Sequence, residues 1–524
     1  MKKRTMAGNA ALLAIFSVLA KAISGCYRVP LTAILGAEGM GMYQLVFSIY
    51  ALILAFTTGG IPVAVSRLTS ERAALEKDSR PVLKSALVCV SVLSVSLSLI
   101  IAFARRYVAV LQGNPEIADA YLLTVPSIVF TGALSMYRGW FQGNNDVVPS
   151  AVSGLVEQVA KLAAGITLAY LLAPRGAIYA VYGALTGLAV SEAAALLYML
   201  ISYFVRGRKN IPVSLDEERF SENCKSMLKT SSVFAFAGFI VPFSQFTDGI
   251  LIVNLLKAVG SSASSATAAY GIFSGTVMSV INMPVVLTLS LAAALVPVIS
   301  ASRIRRQTGE IISKSNTSIK IAFATGLPAA ALVFVFAEPV VTLLYPRLSA
   351  TETAAAIRLM KICSFSIPLC AAREIFSTIL MTLDKTGRVI VNNVFAVVLK
   401  TAVSVFLIIR TGIEGAAYGA IVFGATGFIL NATSYVSLVG KNLKLIKNVS
   451  TTAVGSAIMA GVATLMTTII PNTFAALAAG ALTSVTVYFI VLSATRVFDD
   501  GELSGIPLSR CFDRFSKKLR FWER

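Results

Sequence analysis

Apolar residues run through this chain in blocks of about 20 or more, each long enough as a helix to cross about 30 Å of hydrocarbon. About fourteen such blocks stand out. They cover residues 6–35, 41–65, 82–104, 118–143, 147–172, 177–205 and 231–256, then 270–300, 319–344, 357–383, 389–409, 413–438, 449–470 and 474–495. Between them lie short polar links, the longest being 206–230. The pattern predicts an all-α integral membrane protein of about 14 transmembrane helices.

Part of the pattern repeats. The fifth and sixth blocks read VEQVAKLAAGITLAYLLA then AVYGA, and the eleventh and twelfth read AVVLKTAVSVFLII then AAYGA. Lys161 and Lys400, and then Tyr182-Gly183-Ala184 and Tyr418-Gly419-Ala420, occur in matching order. Ile61-Pro62-Val63 near the end of the second block is echoed by Val296-Pro297-Val298 near the end of the eighth. Six spans separate each pair, an even number, so the halves share one topology and are expected to be related by a pseudo-two-fold along the membrane normal. The expected organisation is an N-terminal lobe (1–205, spans 1–6), an inter-lobe cytoplasmic loop (206–230), a C-terminal lobe (231–440, spans 7–12), two further helices (441–497) and a basic tail (498–524). In the tail Cys511, Phe512, Phe515, Leu519 and Trp522 approximate one helical face, which suits either an anionic leaflet or a plain solvated segment.

Composition supports the membrane reading. Of 524 residues 56% are apolar and 13% charged, and the mean hydropathy is +0.79. The formal net charge of +20 does not point to nucleic acid, because Lys and Arg come in short bursts between apolar blocks. The positive-inside rule places those bursts, and both chain termini, in the cytoplasm. Histidine is absent, which removes the usual general base and the commonest metal ligand. Six cysteines fall mostly inside apolar blocks without metal-type spacing, so no metal is expected. No GxxxxGK[ST] motif occurs, so transport energy must come from ion gradients, membrane potential or consumption of substrate.

The informative residues are charges inside the blocks. The cations are Lys21, Arg28, Arg138, Lys161, Arg373 and Lys400; the acids are Glu157, Glu192, Asp248 and Glu374. A charge at bilayer depth costs at least about 2.5 to 3.5 kcal/mol, so these side chains must face water, a partner or a ligand. Ser17, Lys21, Ser24 and Arg28 follow helical spacing on one face of the first span, and Lys21 and Arg28, about 10 Å apart along the axis, cannot both reach one interface. Two further stripes, Thr131-Ser135-Arg138-Gln142 and Ser366-Cys370-Arg373-Ser377, suit either a water-facing side or polar helix contacts. Glu157 precedes Lys161 by four residues, the spacing of an intrahelical ion pair, whereas Arg373 and Glu374 are expected to point apart. The acids are candidates for coupling to Na⁺ or H⁺, Asp248 having Ser244 one turn before it. Gly59, Gly60 and Pro62 form the strongest helix break, a candidate hinge.

Two stretches, LGAEGMGMYQLVFSIYALILAFTTGGIPVAVSRLTSE (35–71) and RGWFQGNNDVVPSAVSGLVEQVAK (138–161), resemble the signature regions of the stage V sporulation protein B type of polysaccharide transporter. That type belongs to the multidrug/oligosaccharidyl-lipid/polysaccharide exporter superfamily, with the lipid II flippases. The resemblance implies a V-shaped pair of six-helix lobes around a cationic cavity, with the last two helices forming a groove for a lipid tail. It also implies a monomer of the bacterial cytoplasmic membrane that acts on an undecaprenyl-pyrophosphate-linked saccharide, lipid II or a related cell-wall, polysaccharide or sporulation precursor. Lipid II flippases carry functional basic residues in the first span, and Lys21 and Arg28 match these by span. The six cations suit a pyrophosphate; Gln44, Asn282, Asn392 and Asn393 suit sugar hydroxyls. The expected function is a flippase, not an enzyme. The alternative within the superfamily is a cation-coupled multidrug exporter, whose cavity is expected to be acidic and aromatic. A membrane-embedded glycan polymerase lacks its general base here.

Overall fold

The long first apolar stretch folds as α1 (Met6–Thr58), 53 residues, or about 80 Å at 1.5 Å per residue, which is far more than one crossing needs. Gly36 breaks it: its φ of 67° and ψ of −177° lie outside helical geometry in a region that glycine enters readily, so α1 is two helices joined at a kink. This computed structural model describes residues 6–207, 220–293, 296–440 and 445–495. Residues 208–219 of the 206–230 loop and the whole tail 498–524 lie outside them, and 220–230 form the first turns of a helix.

The helices follow in order. After α1 come α2 (Ile61–Ala74), α3 (Arg80–Leu111), a 3₁₀ segment (Pro115–Thr124), α4 (Val125–Gly143) and α5 (Val147–Ala160). A π-helical turn (Lys161–Gly165) leads into α6 (Ile166–Leu172), then α7 (Ala177–Ser202), α8 (Phe220–Ala258) and α9 (Ala263–Tyr270). The remainder comprises α10 (Met278–Ala293), α11 (Val296–Ile304), α12 (Thr308–Val335), α13 (Ala337–Leu344), α14 (Ala350–Ser364), α15 (Ser366–Thr382), α16 (Thr386–Thr411), α17 (Glu414–Val439), α18 (Leu445–Ile469) and α19 (Thr473–Ala494). Among the described residues all regular structure is helical. Twelve continuous stretches are long and apolar enough to span, and the pair α14 and α15, bent by 44°, makes thirteen.

Two compact units form, residues 1–275 and 276–524. The sequence suggested a division at 206–230, yet α8 and α9 pack with the first unit. Glycines explain this. A Cβ on Gly41 would lie 2.0 Å from the Thr267 carbonyl oxygen, and one on Gly271 would lie 2.2 Å from that of Ala37, so α1 and α9 meet backbone to backbone. At the Gly59-Gly60 break between α1 and α2, a Cβ on Gly60 would come 2.3 Å from the Ser231 carbonyl oxygen of α8. The break predicted there is real, with Pro62 in the first turn of α2 where its missing N–H costs nothing.

The core of the first unit gathers Val90 of α3, Met136, Tyr137 and Trp140 of α4, and Met199 of α7. Trp140 donates its indole N–H to the backbone oxygen of Ser79 at 3.2 Å, which ties α4 to the start of α3. The opposite side of α3 exposes Val88, Val92, Leu99 and Phe103, an apolar row that suits lipid.

In the second unit Pro328 interrupts α12. Proline offers no N–H to the carbonyl four residues earlier, that of Ala324. The Tyr488 hydroxyl of α19 donates to that carbonyl at 2.8 Å, so an oxygen orphaned in one helix anchors another. Gly326 admits Pro368 at the α14–α15 bend, where a Cβ would approach the proline Cα to 2.9 Å.

Candidate functional site

In the first unit the polar positions of α4, α5 and α7 converge. Arg138 donates from Nη2 to Glu157 at 2.9 Å and from Nε to Ser153 at 2.8 Å. Glu157 therefore pairs with the preceding helix, and the expected intrahelical pair with Lys161 is replaced. The cause is the tight turn at residues 144–146, which sets α4 and α5 side by side with Ser153 and Glu157 facing Arg138. Glu192 of α7 is buried and accepts from the Tyr50 hydroxyl at 2.7 Å and from Thr131. Thr131 and Arg138 of the stripe on α4 thus make polar helix contacts, while Ser135 bonds within its own helix and Gln142 is exposed.

Lys161 lies half-buried at the head of the π-turn, its ammonium 5.1 Å from the ring centroid of Tyr27 and 5.7 Å from that of Phe47. These are cation–π distances. The turn is packed by glycine: a Cβ on Gly165 would strike the Tyr27 ring at 2.9 Å, and one on Gly187 would lie 2.2 Å from the Gly165 Cα. Arg28, next to Tyr27, is half-buried and donates to the Gly275 carbonyl oxygen at 3.5 Å. The side chains of Ser17 and Lys21 lie outside the described residues. Gln44 is buried and donates to the Ser274 backbone. Asp248 is half-buried on α8, and Ser244 is buried one turn before it.

The second unit repeats this theme with changes. Arg373 of α15 is 5% exposed and Lys400 of α16 is 7% exposed. The Arg373 guanidinium lies 4.4 Å from the centroid of Phe423 on α17, and the Lys400 ammonium lies 5.6 Å from the same ring. Arg373 also donates to Asn393 at 3.4 Å and to the Glu374 carboxylate. Neighbouring Cα–Cβ bonds on a helix diverge, hence the expectation that this pair would part. The long arginine side chain nonetheless turns back to Glu374, through space that Gly427 leaves clear: a Cβ there would lie 2.4 Å from the Arg373 Cδ. Two of the amides proposed for sugars, Asn392 and Asn393, are engaged inside the unit. Asn392 donates to Asn431 and Ser434, both at 2.9 Å, and Asn431 donates to Ser377. Asn282 is exposed.

The packing sets a register for the repeat. Gly183 meets Leu168 as Gly419 meets Ser404, each partner 236 residues from its counterpart. Glu157 and Asn393, both acceptors from an arginine, are also 236 apart. Lys161 and Lys400 are 239 apart, so the lysines matched in sequence order stand three residues, nearly one turn, out of register. In the same register Phe423 takes the place of Gly187. Where glycines close the first unit, an aromatic ring carries two cations in the second. Tyr27, Phe47 and Phe423 are the partners that sequence reading missed.

A family model described as "Polysaccharide biosynthesis protein" matches residues 6–303, more than half of the chain. The chain belongs to the polysaccharide biosynthesis protein family. A second model, MatE, matches residues 234–406. This polysaccharide biosynthesis protein is 25% identical to Stage V sporulation protein B of Bacillus subtilis, over 97% of this chain and 99% of that one. It is 22% identical to the lipid II flippase MurJ of the same organism, over 80% and 81% of the two chains. Among solved structures its fold is similar to a lipid II flippase MurJ in an inward closed conformation, with a TM-score of 0.70, 15% identity, and coverage of 93% of this chain and 99% of that one. A multidrug resistance MATE family transporter of the MOP superfamily in an inward-facing conformation follows, with a TM-score of 0.67, 16% identity, and coverage of 80% and 96%. The chain is thus a multi-span helical membrane protein of that family, with the fold of the MurJ and MATE structures.

Proposed function

We propose that this polysaccharide biosynthesis protein is a flippase that carries an undecaprenyl-diphosphate-linked saccharide, lipid II or a related wall or spore precursor, from the inner to the outer leaflet by alternating access. The observation that carries the reading is the set of cations held at membrane depth against aromatic rings. Lys161 lies over Tyr27 and Phe47, and Arg373 and Lys400 share Phe423. A diphosphate offers about two negative charges and many acceptor oxygens to such groups, and its polyprenyl tail stays in lipid throughout. The names of the relatives, Stage V sporulation protein B and lipid II flippase, support the same substrate class.

In this reading the protein works as a monomer in the bacterial cytoplasmic membrane with both termini cytoplasmic. Lys21 and Arg28 make first contact with phosphate, and the six-span repeats 1–205 and 231–440 are the moving lobes. The Gly59-Gly60-Pro62 break is the hinge, and helices within 441–497 hold the tail. Glu192, Glu157, Asp248 and Glu374 are the positions for a coupling Na⁺ or H⁺. A second reading, a cation-coupled multidrug exporter, is favoured by the MatE match over 234–406.

The test is reconstitution into liposomes with a fluorescent polyprenyl-diphosphate disaccharide. Leaflet-selective quenching is expected to report transfer by the wild type and at least about a tenfold loss in Arg28→Gln, the scale of one charge-assisted contact. Transfer of ethidium and not of the lipid would establish the second reading instead.

A further inference from the structure

By the six-span repeat α8 and α9 open the second half, yet they pack with the first unit. Their contact with it changes character along its length. Toward the start of α8 it is apolar: the Phe56 and Phe239 ring centroids lie 4.9 Å apart, and Phe243 stacks on Phe239 at 5.3 Å. At the far end it is polar. Lys257 of α8 donates from Nζ to the Gly113 carbonyl oxygen at 3.0 Å, and Asn254 donates to that of Leu111 at 2.8 Å. Asn114 donates to the Thr267 hydroxyl of α9 at 3.3 Å.

Three properties of that far end suit parting. Two of its acceptors, the carbonyls of Leu111 and Gly113, stand at and just past the end of α3, where no helical N–H takes them up and water can replace a side-chain donor. Glycine closes the seam: Gly41 lies against Thr267, Gly271 against Ala37 and Gly113 against Asn254, so at these points no side chain interlocks. Asn114 and Thr267 are both buried. Their mutual bond balances burial while the seam is shut, and water does so when it is open, whereas leucines in their place would favour the shut state alone.

We infer that this seam is a latch: Asn114, Asn254 and Lys257 hold α8 and α9 against α1 and α3 at rest, and their three bonds break together when the transported lipid is released outward. The end of α8 that carries Asn254 and Lys257 is the outer one in the orientation proposed above, so the inference rests on that reading and on alternating access. It adds the residues that fix which state is populated, since each bond favours the shut state and none survives in the open one. The ring contact at Phe56, beside the Gly59-Gly60 break, is the end that stays joined.

Met40 is buried on α1, and a Cβ on Gly275 would lie 2.5 Å from its side chain, so Met40→Cys in a cysteine-free background reports whether the seam is open. A membrane-impermeant maleimide outside intact cells is expected to label it slowly. Lys257→Met and Asn254→Ala are each expected to speed labelling about three- to tenfold, the scale of one hydrogen bond, and Lys257→Arg, which keeps a donor, to leave it slow. Tyr488→Phe, which loosens the second unit, is expected not to change it. Unchanged labelling in both seam variants, or an equal rise in Tyr488→Phe, overturns the latch. The pair Asn114→Cys and Thr267→Cys is expected to cross-link on oxidation and to stop lipid transfer in liposomes until it is reduced. Failure to cross-link, or undiminished transfer by the cross-linked protein, overturns the latch as well. Failure of the flippase reading is separable. Labelling that follows the seam variants, in a protein that transfers no lipid, discards that reading and leaves the latch. Transfer that depends on Arg28, with labelling indifferent to the seam, does the reverse.

Discussion

Arg138 and Glu157 are joined across two helices by a 2.9 Å bond, with side chains about a quarter and a fifth exposed. Removing either member leaves the other partly buried and unmatched. Arg138→Gln is therefore expected to cost about 2 kcal/mol, less than the roughly 3 to 5 kcal/mol of a fully buried pair. Glu157→Gln should cost a similar amount, and the double variant clearly less than both together. Thermal unfolding in detergent, arranged as a double-mutant cycle, reads the coupling, and strict additivity would show the pair to be incidental. At this scale the sequence marks its charges plainly, because Arg28, Lys161 and Lys400 are rare residue types in apolar blocks. Their partners are hidden. In a chain that is 56% apolar, Phe423 beneath two cations reads no differently from Phe395 on the exposed side of α16. Spacing within one helix suggests Glu157–Lys161, and only the neighbouring helix reveals Arg138.

Elements are more legible than contacts. Spans were countable because about 20 apolar residues are needed to cross a bilayer, and Pro62 and Pro368 lie where helices break or bend. Less visible were the π-turn at Lys161–Gly165 and the allotment of α8 and α9, which depend on glycines such as Gly41 and Gly165 meeting backbone or ring at close range. Pro328 shows how one element's defect becomes another's anchor. Tyr488→Phe keeps the packing and removes the donor to the Ala324 carbonyl, which has no water to turn to at that depth. The expected loss is about 1 to 3 kcal/mol, read as a lower unfolding temperature in detergent. The same substitution combined with Pro328→Ala should lose less, since alanine restores the helical N–H.

For the whole molecule the charge bursts predict an orientation. In a cysteine-free background Arg175→Cys, in the turn between α6 and α7, is expected to react with a membrane-impermeant maleimide added outside intact cells. Gln307→Cys, between α11 and α12, is expected to react only after the cells are opened. The reverse pattern would invert the topology. Both positions are exposed, so burial does not mask either result.

The three-residue slip between Lys161 and Lys400 has a historical consequence. A doubled ancestor began with halves that were interchangeable, and swapping the stretch from α5 to α7 for α16 and α17 would then have preserved function. Now such a graft would deliver its lysine a turn away from its aromatic ring and set Phe423 where Gly187 must yield to Gly165. At these positions the two halves are not interchangeable.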